Sequence, residues 1–382
     1  MANIQIYFIL LISCYIVFAK QPISLSEHGA KECKKTKLRF ISLVFRHGDR
    51  TLDGEAKMVY PLNSYGDDDD FPNNNGLLTN TGKKRAFQFG QLLRKIYNHF
   101  LGDVYYPPNV HARSTALART KMTLQLVLTA LYPPIDKQIW SKTLTWQPSD
   151  TIYTRISEDG LLFPTVCKEY SQAYIKVLKS EEVVKQIAKF DDLMKQLSRP
   201  VGRNITGLYD LYTLYHILSI QVAMNLSLPD WSRSIFPNGR LFSAAMLQYR
   251  LYNYNDQLIR LNGGLLLHRM IEDMLGVING SLPDRKINLF SAHDVNVVAV
   301  LRALGISHGM PTFTSGVIIE LHEMNDQYFV KVVHYVGVPP VMKAVSIQGC
   351  DLLCPLEKFV HLTSARTATH EDPKCPLTIN MY

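Results

Sequence analysis

The sequence lacks the compositional bias of disordered, collagen-like and coiled-coil proteins, because its 382 residues are 47% hydrophobic and 19% charged. It also lacks internal repeats and any extended low-complexity linker. A chain of this length carries enough apolar material for one large domain or two closely packed ones. We therefore expect a globular protein with a substantial buried core.

Long basic runs are absent as well. Lysine and arginine number 41 against 33 acidic residues, which gives a net charge of +8, and the longest basic run is residues 83–85. This excess favours anionic partners in general, whereas nucleic-acid binding usually requires a concentrated basic patch. We therefore expect no nucleic-acid partner.

Long hydrophobic runs are limited to the beginning of the chain. Residues 6–17 are uncharged and apolar apart from Ser13, and the following Phe18-Ala19 completes a pattern that signal peptidase recognises. The run is too short to span a bilayer comfortably, and no second run of spanning length follows it. We predict a signal peptide over residues 1–19 and a mature protein without a membrane anchor, with an uncleaved anchor as the alternative.

Cysteine is scarce, with six in the chain, and Cys14 leaves with the predicted signal peptide. In an oxidising compartment the remaining five predict two disulfides and one odd thiol. Cys350 and Cys354 are close enough in sequence to pair across a tight loop, and no second Cys/His pair at ligand spacing supports a zinc site there. Three N-glycosylation sequons also fit passage through the secretory route, at Asn204, Asn225 and Asn279.

Strand-like segments alternate with helix-like segments, and three of the strands run into polar residues. Residues 37–45 precede Arg46-His47-Gly48-Asp49-Arg50, a short strand places Arg113 at its end, and residues 286–291 precede His293-Asp294. We expect Ser114 or Thr115 to cap the helix that follows the second strand. Such alternation predicts an α/β sheet with a site at the carboxyl ends of its strands.

The three clusters supply three guanidinium groups, two imidazoles and one acid, on Arg46, Arg50, Arg113, His47, His293 and Asp294. Arginine forks match phosphate oxygens, an imidazole can attack phosphorus, and a carboxylic acid can protonate a departing oxygen. Each residue alone also has an ordinary structural interpretation, such as helix capping by Asp294. Their combination at strand ends favours phosphoryl transfer.

These residues resemble a known family. "RHGDRT" at 46–51, "ARST" at 112–115 and "SAHD" at 291–294 are similar to the histidine acid phosphatases of the prostatic and lysosomal type, and the details resemble the insect venom members most. The resemblance covers most of residues 37–375. It implies an α/β fold, with a mixed, mainly parallel sheet flanked by helices and a smaller helical domain inserted. It also implies hydrolysis of phosphate monoesters without a metal or other cofactor.

The resemblance assigns roles to individual residues of this chain. It makes His47 the nucleophile that becomes phosphorylated and Asp294 the proton donor to the leaving group, which favours an acidic optimum. It assigns binding of the phosphate to Arg46, Arg50, Arg113 and His293. It also implies the disulfides Cys167–Cys375 and Cys350–Cys354, and it leaves Cys33 without an obvious partner.

The same resemblance implies a discontinuous catalytic domain over residues 33–160 and 251–375, with the helical domain at 161–250. Two departures from the family pattern are Leu52, where a proline is usual, and Ala116, where an aspartate is common. Neither removes the nucleophile or the acid, so we expect an active enzyme.

The expected substrates are small phosphomonoesters or phosphorylated proteins. The expected location is extracellular, as a glandular or venom secretion, with the lysosomal lumen as the alternative. Whether the protein forms a homodimer stays an open question. Two other functions are weighed, namely a phytase-like inositol polyphosphate phosphatase and an inactive secreted binding protein. Metal-dependent hydrolysis is disfavoured, since three arginines would repel a cation.

Overall fold

The computed structural model describes residues 36–65 and 76–369. Within those ranges a mixed sheet contains the strands Lys37–Arg46 (β1), Val110–Ser114 (β2), Ile152–Tyr153 (β3), Ile287–Ala292 (β4), Gly316–Met324 (β5), Gln327–Tyr335 (β6), Met342–Val345 (β7) and Cys354–Pro355 (β8). The α-helices of the same ranges are Gly54–Val59 (α1), Asn80–Leu101 (α2), Ala118–Leu131 (α3), Lys168–Leu178 (α4), Glu181–Ala188 (α5), Asp191–Val201 (α6), Leu208–Ala223 (α7), Arg240–Leu251 (α8), Asp256–Leu261 (α9), Gly263–Asn279 (α10), Asp294–Ala303 (α11) and Leu356–Thr363 (α12).

The strand order is β3-β2-β4-β1-β5-β6-β7, with β8 also paired to β6. The first four strands of this order run parallel, and the remaining pairs are antiparallel. Because parallel strands end at the same edge, the segments that follow β1, β2 and β4 meet there. The predicted α/β fold with a mixed sheet flanked by helices is confirmed.

Side-chain alternation along β1 explains why helices cover both faces of the sheet. Ile41, Leu43 and Phe45 belong to one hydrophobic cluster with residues of α2 and α3. Phe40 and Val44 belong to a second cluster, which includes residues of α7 to α11. Since successive side chains of a strand point to opposite faces, an almost uninterrupted apolar run is what a strand covered on both sides requires.

The helices α4 to α8 occupy the region between β3 and α9, where the sequence predicts mainly helical structure. Their core is continuous with that of the sheet, since Leu214 and Leu218 of α7 share a hydrophobic cluster with Phe290 of β4. The partition into a catalytic domain and an inserted domain at residues 161 and 250 stays a prediction.

The starts of α2 and α3 differ in their side-chain hydrogen bonds. Thr79 caps α2, because its side chain accepts a hydrogen bond from the backbone N–H of Gly82. The expected cap of α3 at Ser114 or Thr115 is wrong, since Ser114 is still in β2 and the capping position is Leu117. The Thr115 hydroxyl bonds Thr120 and His293 instead.

The cysteine and glycosylation predictions have different outcomes. Cys350 and Cys354 form the predicted disulfide. The pairing of Cys167 with Cys375 extends outside the described residues, as do Cys33 and the signal peptide at 1–19. All three sequon asparagines are exposed, which glycosylation requires, and the modification itself stays a prediction for Asn204, Asn225 and Asn279.

Within residues 36–65 and 76–369 no helix is both long enough and apolar enough to cross a membrane.

A buried carboxylate links α2 to the antiparallel half of the sheet. Glu320 of β5 accepts hydrogen bonds from the Tyr97 hydroxyl at 2.7 Å and from His322 Nε2 at 2.8 Å, and it pairs with Lys331 Nζ at 3.1 Å. Burial alone would raise the pKa of Glu320, but the His322 hydrogen bond, the Lys331 charge and the Tyr97 hydroxyl outweigh it and lower this pKa from 4.5 to about 2.

We predict that Glu320→Gln destabilises the fold in a pH-dependent manner. A lowered pKa means that the ionised carboxylate stabilises the native state, so its contribution is complete above about pH 4.5 and is lost as the pH falls towards about 2. The variant should lose on the order of 3 kcal/mol at pH 6, and the difference from wild type should shrink towards zero near pH 2. Thermal or urea unfolding across this range measures it, and a difference independent of pH would contradict the assignment.

Candidate active site

The register of the parallel strands brings two polar segments together. β1 ends at Arg46, which lies beside Ala292 at the end of β4, and the backbone N–H of His47 donates to the Ala292 carbonyl at 3.1 Å. The residue after Ala292 is His293, so the two imidazoles become neighbours with ring centroids 5.5 Å apart. The sequence prediction that these strand ends converge is confirmed for Arg46, His47 and His293.

Gly48 allows the loop after β1 to lie directly on the start of α2. A β-carbon at this position would be 2.5 Å from the backbone oxygen of Gly82, and one at Gly82 would be 2.0 Å from the Asp49 carbonyl. Any side chain at either glycine would therefore force the loop away from the helix. This close approach holds His47 at the sheet edge.

A cavity of about 300 Å³ opens over this edge. Its polar base is formed by Arg46, His47, Arg50, Arg119, His293 and Asp294, and its wall includes Phe163, Tyr170, Tyr209, Tyr212, His216 and Tyr252. The base comes from the loops after β1 and β4 and from the first turn of α3. The wall comes mainly from the helical region between β3 and α9.

His47 has a defined tautomer. Its Nδ1 lies 2.8 Å from the Gly48 carbonyl oxygen, an acceptor, so Nδ1 carries the proton. Its Nε2 accepts a hydrogen bond from Arg119 Nε at 3.2 Å and therefore presents a lone pair. Burial, followed by the charges of Arg119 and Arg46, lowers the pKa of His47 well below 6.5. The imidazole is thus neutral in mild acid, and its Nε2 is the unprotonated ring nitrogen.

The Arg46 guanidinium is held on three sides. It donates to the Pro311 carbonyl at 2.7 Å, pairs with Asp294 Oδ2 at 2.8 Å and lies 4.3 Å from the ring centre of Phe313. Arg50 is fixed in a similar way by Asp53, with Nη1 2.9 Å from Oδ2. Both side chains are therefore preorganised for an anion in the cavity.

The structure does not bring Arg113 to this cavity. Its Nη2 pairs with Asp159 Oδ1 at 2.6 Å and donates to the Thr154 hydroxyl at 3.2 Å. The reason is strand geometry, since Arg113 lies inside β2, opposite Phe290, and its side chain leaves from one face of the sheet and not from its edge. The phosphate-binding role assigned to Arg113 therefore has no support in its position.

Arg119 occupies the position expected for Arg113. It lies in the first turn of α3, lines the cavity and contacts His47 directly. Burial, followed by the charge of Arg50, lowers its pKa to about 10, so it remains a cation at neutral and acidic pH. Its sequence signal is modest, namely an arginine that opens the helix directly after a site strand.

His293 and Asp294 mark the start of α11. His293 Nε2 lies 3.1 Å from the Thr115 hydroxyl, and burial followed by the charge of Arg119 lowers the pKa of His293 to about 3. Burial would raise the pKa of Asp294, but the charge of Arg46 outweighs it and holds this pKa below its ordinary value. Before an anion binds, Asp294 is consequently ionised and paired with Arg46.

Several cavity residues escape the sequence predictions, among them Asp53, Glu55, Tyr209, Tyr212 and His216. Tyr212 donates to Asp294 Oδ1 over 3.4 Å, and the Tyr209 hydroxyl donates to Glu55. Leu52 and Ala116, the two departures from the family pattern, are not among the residues that line the cavity. Leu52 is buried in the hydrophobic core.

In the part of the chain that the structure describes, no three His, Cys, Asp or Glu side chains are grouped in a way that could hold a metal ion.

The chain is similar to known proteins over most of its length. The profile of the histidine phosphatase superfamily (branch 2) matches residues 37–335. The chain is 40% identical over 343 residues to the venom acid phosphatase Acph-1 of Apis mellifera, covering 89% of this chain and 88% of that protein. It is 30% identical to the prostatic acid phosphatase of Bos taurus, covering 86% and 84%. Among solved structures, the phytase of Klebsiella sp ASR1 superposes with a TM-score of 0.67 at 15% identity, covering 89% of this chain and 96% of that one, a likeness of fold.

The contrast between Arg113 and Arg119 predicts two opposite phenotypes for variants of equal charge. Arg113→Ala leaves Asp159 buried without its cation, so it should destabilise the fold by about 3 kcal/mol. Arg119→Ala relieves crowding among cations, so it should preserve stability while weakening orthophosphate binding about tenfold to a hundredfold. Thermal unfolding at pH 7 and calorimetric titration with orthophosphate measure both. Weaker phosphate binding in Arg113→Ala without destabilisation would contradict the assignment.

Proposed function

The chain belongs to branch 2 of the histidine phosphatase superfamily and is an acid phosphatase, and we propose that it hydrolyses phosphate monoesters through a phosphohistidine at His47, without a metal ion. The observation that carries the proposal is the neutral His47 imidazole, whose Nε2 lone pair lies beside Arg119 at the base of the cavity. Because Nδ1 donates its proton to the Gly48 carbonyl, Nε2 is the ring nitrogen that has a lone pair for attack, and we assign it as the nucleophile.

The phosphoryl group is proposed to bind between three guanidinium groups, those of Arg46, Arg50 and Arg119, with His293 completing the base of the site. Planar guanidinium forks match phosphate oxygens and stabilise charge that develops on them during transfer. Asp294 and Asp53, the carboxylates that a divalent metal would need as oxygen ligands, are already paired with Arg46 and Arg50, which supports a metal-independent reaction.

Asp294 is proposed to deliver the leaving-group proton. The ester enters as its monoanion, because the second ionisation of a phosphate monoester has a pKa of about 6. When the phosphate oxygens bind the Arg46 guanidinium, Asp294 loses its counter-cation and accepts the proton of the phosphate. His47 Nε2 then bonds to phosphorus, the phosphorus–oxygen bond breaks, and Asp294 protonates the departing alcohol.

Hydrolysis of the intermediate reverses these roles. Asp294, now ionised, removes a proton from a water molecule that attacks phosphorus, the nitrogen–phosphorus bond breaks and orthophosphate is released. Neutral His47 is regenerated with its proton still on Nδ1, because the Gly48 carbonyl holds that tautomer throughout.

Export is proposed from the apolar beginning of the chain, the disulfide at Cys350 and Cys354, and three exposed sequons. The relatives are named venom, prostatic and lysosomal enzymes, which fits a secreted or lysosomal location. Signal cleavage would leave Lys20 as the first residue, which sequencing of the exported chain checks. Homodimerisation and protein substrates stay predictions.

The proposed proton source predicts the pH profile. In kcat/KM for an alkyl phosphate such as β-glycerophosphate, activity should be highest in acid and fall about tenfold per pH unit above the second pKa of the ester, since only the monoanion brings the proton that the departing alkoxide needs. His47 does not limit activity in mild acid, because its lowered pKa keeps it neutral there. EDTA should have no effect. Chelator sensitivity, or an activity maximum above pH 7, would contradict the proposal.

Replacement of the proposed acid should discriminate between leaving groups. Asp294→Asn should reduce hydrolysis of an alkyl phosphate such as β-glycerophosphate by at least about a hundredfold. The loss should be far smaller for p-nitrophenyl phosphate, whose phenolate leaves without a proton. Any change in the position of Arg46 affects both substrates alike, so the ratio isolates proton donation. Equal losses for both esters would exclude the acid role.

A further inference from the structure

Two carboxylates line the cavity on the side of α1. Asp53 lies at the helix N-terminus, where Oδ1 accepts from the Ala56 N–H and Oδ2 pairs with Arg50 Nη1 at 2.9 Å. Glu55 follows in the first turn and accepts a hydrogen bond from the Tyr209 hydroxyl. Both side chains are partly buried and line the same cavity as His47. They are therefore held in place and are not freely rotating surface groups.

These carboxylates balance the charge of the cavity. Its cationic lining residues are Arg46, Arg50 and Arg119, and no lysine is among the lining residues that the structure describes. Asp294, Asp53 and Glu55 supply an equal number of negative charges. With His47 and His293 neutral, the guanidinium groups are sufficient for one phosphoryl group, and among residues 36–65 and 76–369 no further arginine or lysine lines the cavity to receive a second.

The wall beyond the arginines is aromatic. Phe163, Tyr170, Tyr209, Tyr212 and Tyr252 line it, and the cavity volume is about 300 Å³. The ring of Tyr209 stacks on that of Tyr212 with centroids 5.9 Å apart, which brings Glu55 to the edge of this wall. An ester bound through one phosphate would place its alcohol against the aromatic rings, where an additional phosphate would lose hydration without gaining a cation.

We propose that Asp53 and Glu55 form an anionic screen, which excludes esters that carry a second phosphate and restricts this enzyme to monophosphates of uncharged alcohols. The inference rests on the proposed function and names its substrate class. Like charges in a partly buried cavity repel strongly, since the effective dielectric there is far below that of water. The screen therefore acts against inositol polyphosphates, although the fold is shared with phytases.

Two conservative variants test the screen. Glu55→Gln retains an acceptor for Tyr209 and mainly removes a charge. Asp53→Asn retains an acceptor for Ala56 but also weakens the ion pair with Arg50, an effect that both substrates share and that their ratio cancels. The substrates are fructose 6-phosphate and fructose 1,6-bisphosphate, which share one sugar and differ by one phosphate. Each variant should raise the ratio of kcat/KM for the bisphosphate to that for the monophosphate by about fivefold or more. Glu357→Gln, which removes an exposed carboxylate outside the cavity, is the charge-matched control and should leave the ratio unchanged.

The wild-type enzyme supplies a test that needs no variant. Raising the ionic strength should increase the same ratio, because salt screens the repulsion of the second phosphate. A ratio that neither variant nor salt changes, while the monophosphate is still hydrolysed, would overturn the screen and leave the phosphatase assignment intact. Absence of p-nitrophenyl phosphate hydrolysis in the wild type would instead count against the proposed function.

Discussion

Burial of an imidazole among guanidinium groups governs this site, because loss of hydration and, after it, repulsion by these cations disfavour protonation of the ring. His47 lies among Arg46, Arg50 and Arg119, and a further positive charge on its ring would be unfavourable in so little solvent. The ring therefore stays neutral under conditions in which an exposed histidine would be protonated. On the proposed function, the arrangement of arginines that binds the phosphate therefore also keeps the nucleophile unprotonated in acid.

The same crowding of cations explains the placement of the carboxylates. Three buried or partly buried guanidinium groups in one cavity need counter-charges before a substrate arrives, and Asp294 and Asp53 provide them through short ion pairs to Arg46 and Arg50. The pair of Arg46 and Asp294 has a second consequence, because a phosphate that takes the arginine releases the carboxylate. In the proposed mechanism, binding thereby converts a structural ion pair into a proton carrier, and the proton arrives with the substrate.

The parts of this site that are contiguous with strands were predictable from the sequence. His47 and Asp294 follow apolar runs that only a covered strand explains, and the parallel register then brings them together. Arg119 was not found in this way, since its place depends on how far β2 runs and where α3 begins. The predicted cap at Ser114 or Thr115 places the start of α3 too early in the sequence. Arg113, which precedes Arg119 in the sequence, instead pairs with Asp159. The Oδ1 atom of Asp159 also accepts a hydrogen bond from the backbone N–H of Leu162 in the cavity wall.

The residues of the cavity wall could not be predicted from the sequence for a different reason. Tyr212 and His216 belong to α7, which is apolar around most of its circumference, so no face of the helix is distinguished in the sequence. Only the packing of α7 against the sheet decides which side chains reach the cavity. Glu55 likewise gains its significance from Tyr209, which is distant in sequence and adjacent in space.

Covalent capture of the intermediate tests the central claim most directly. Wild-type enzyme mixed rapidly with a radiolabelled phosphate monoester and quenched in alkali, where the nitrogen–phosphorus bond survives, should carry label on Nε2 of His47 after digestion. Folded His47→Ala enzyme should carry none. Label on another histidine, such as His293, or turnover by the His47→Ala enzyme near the wild-type rate, would contradict the account.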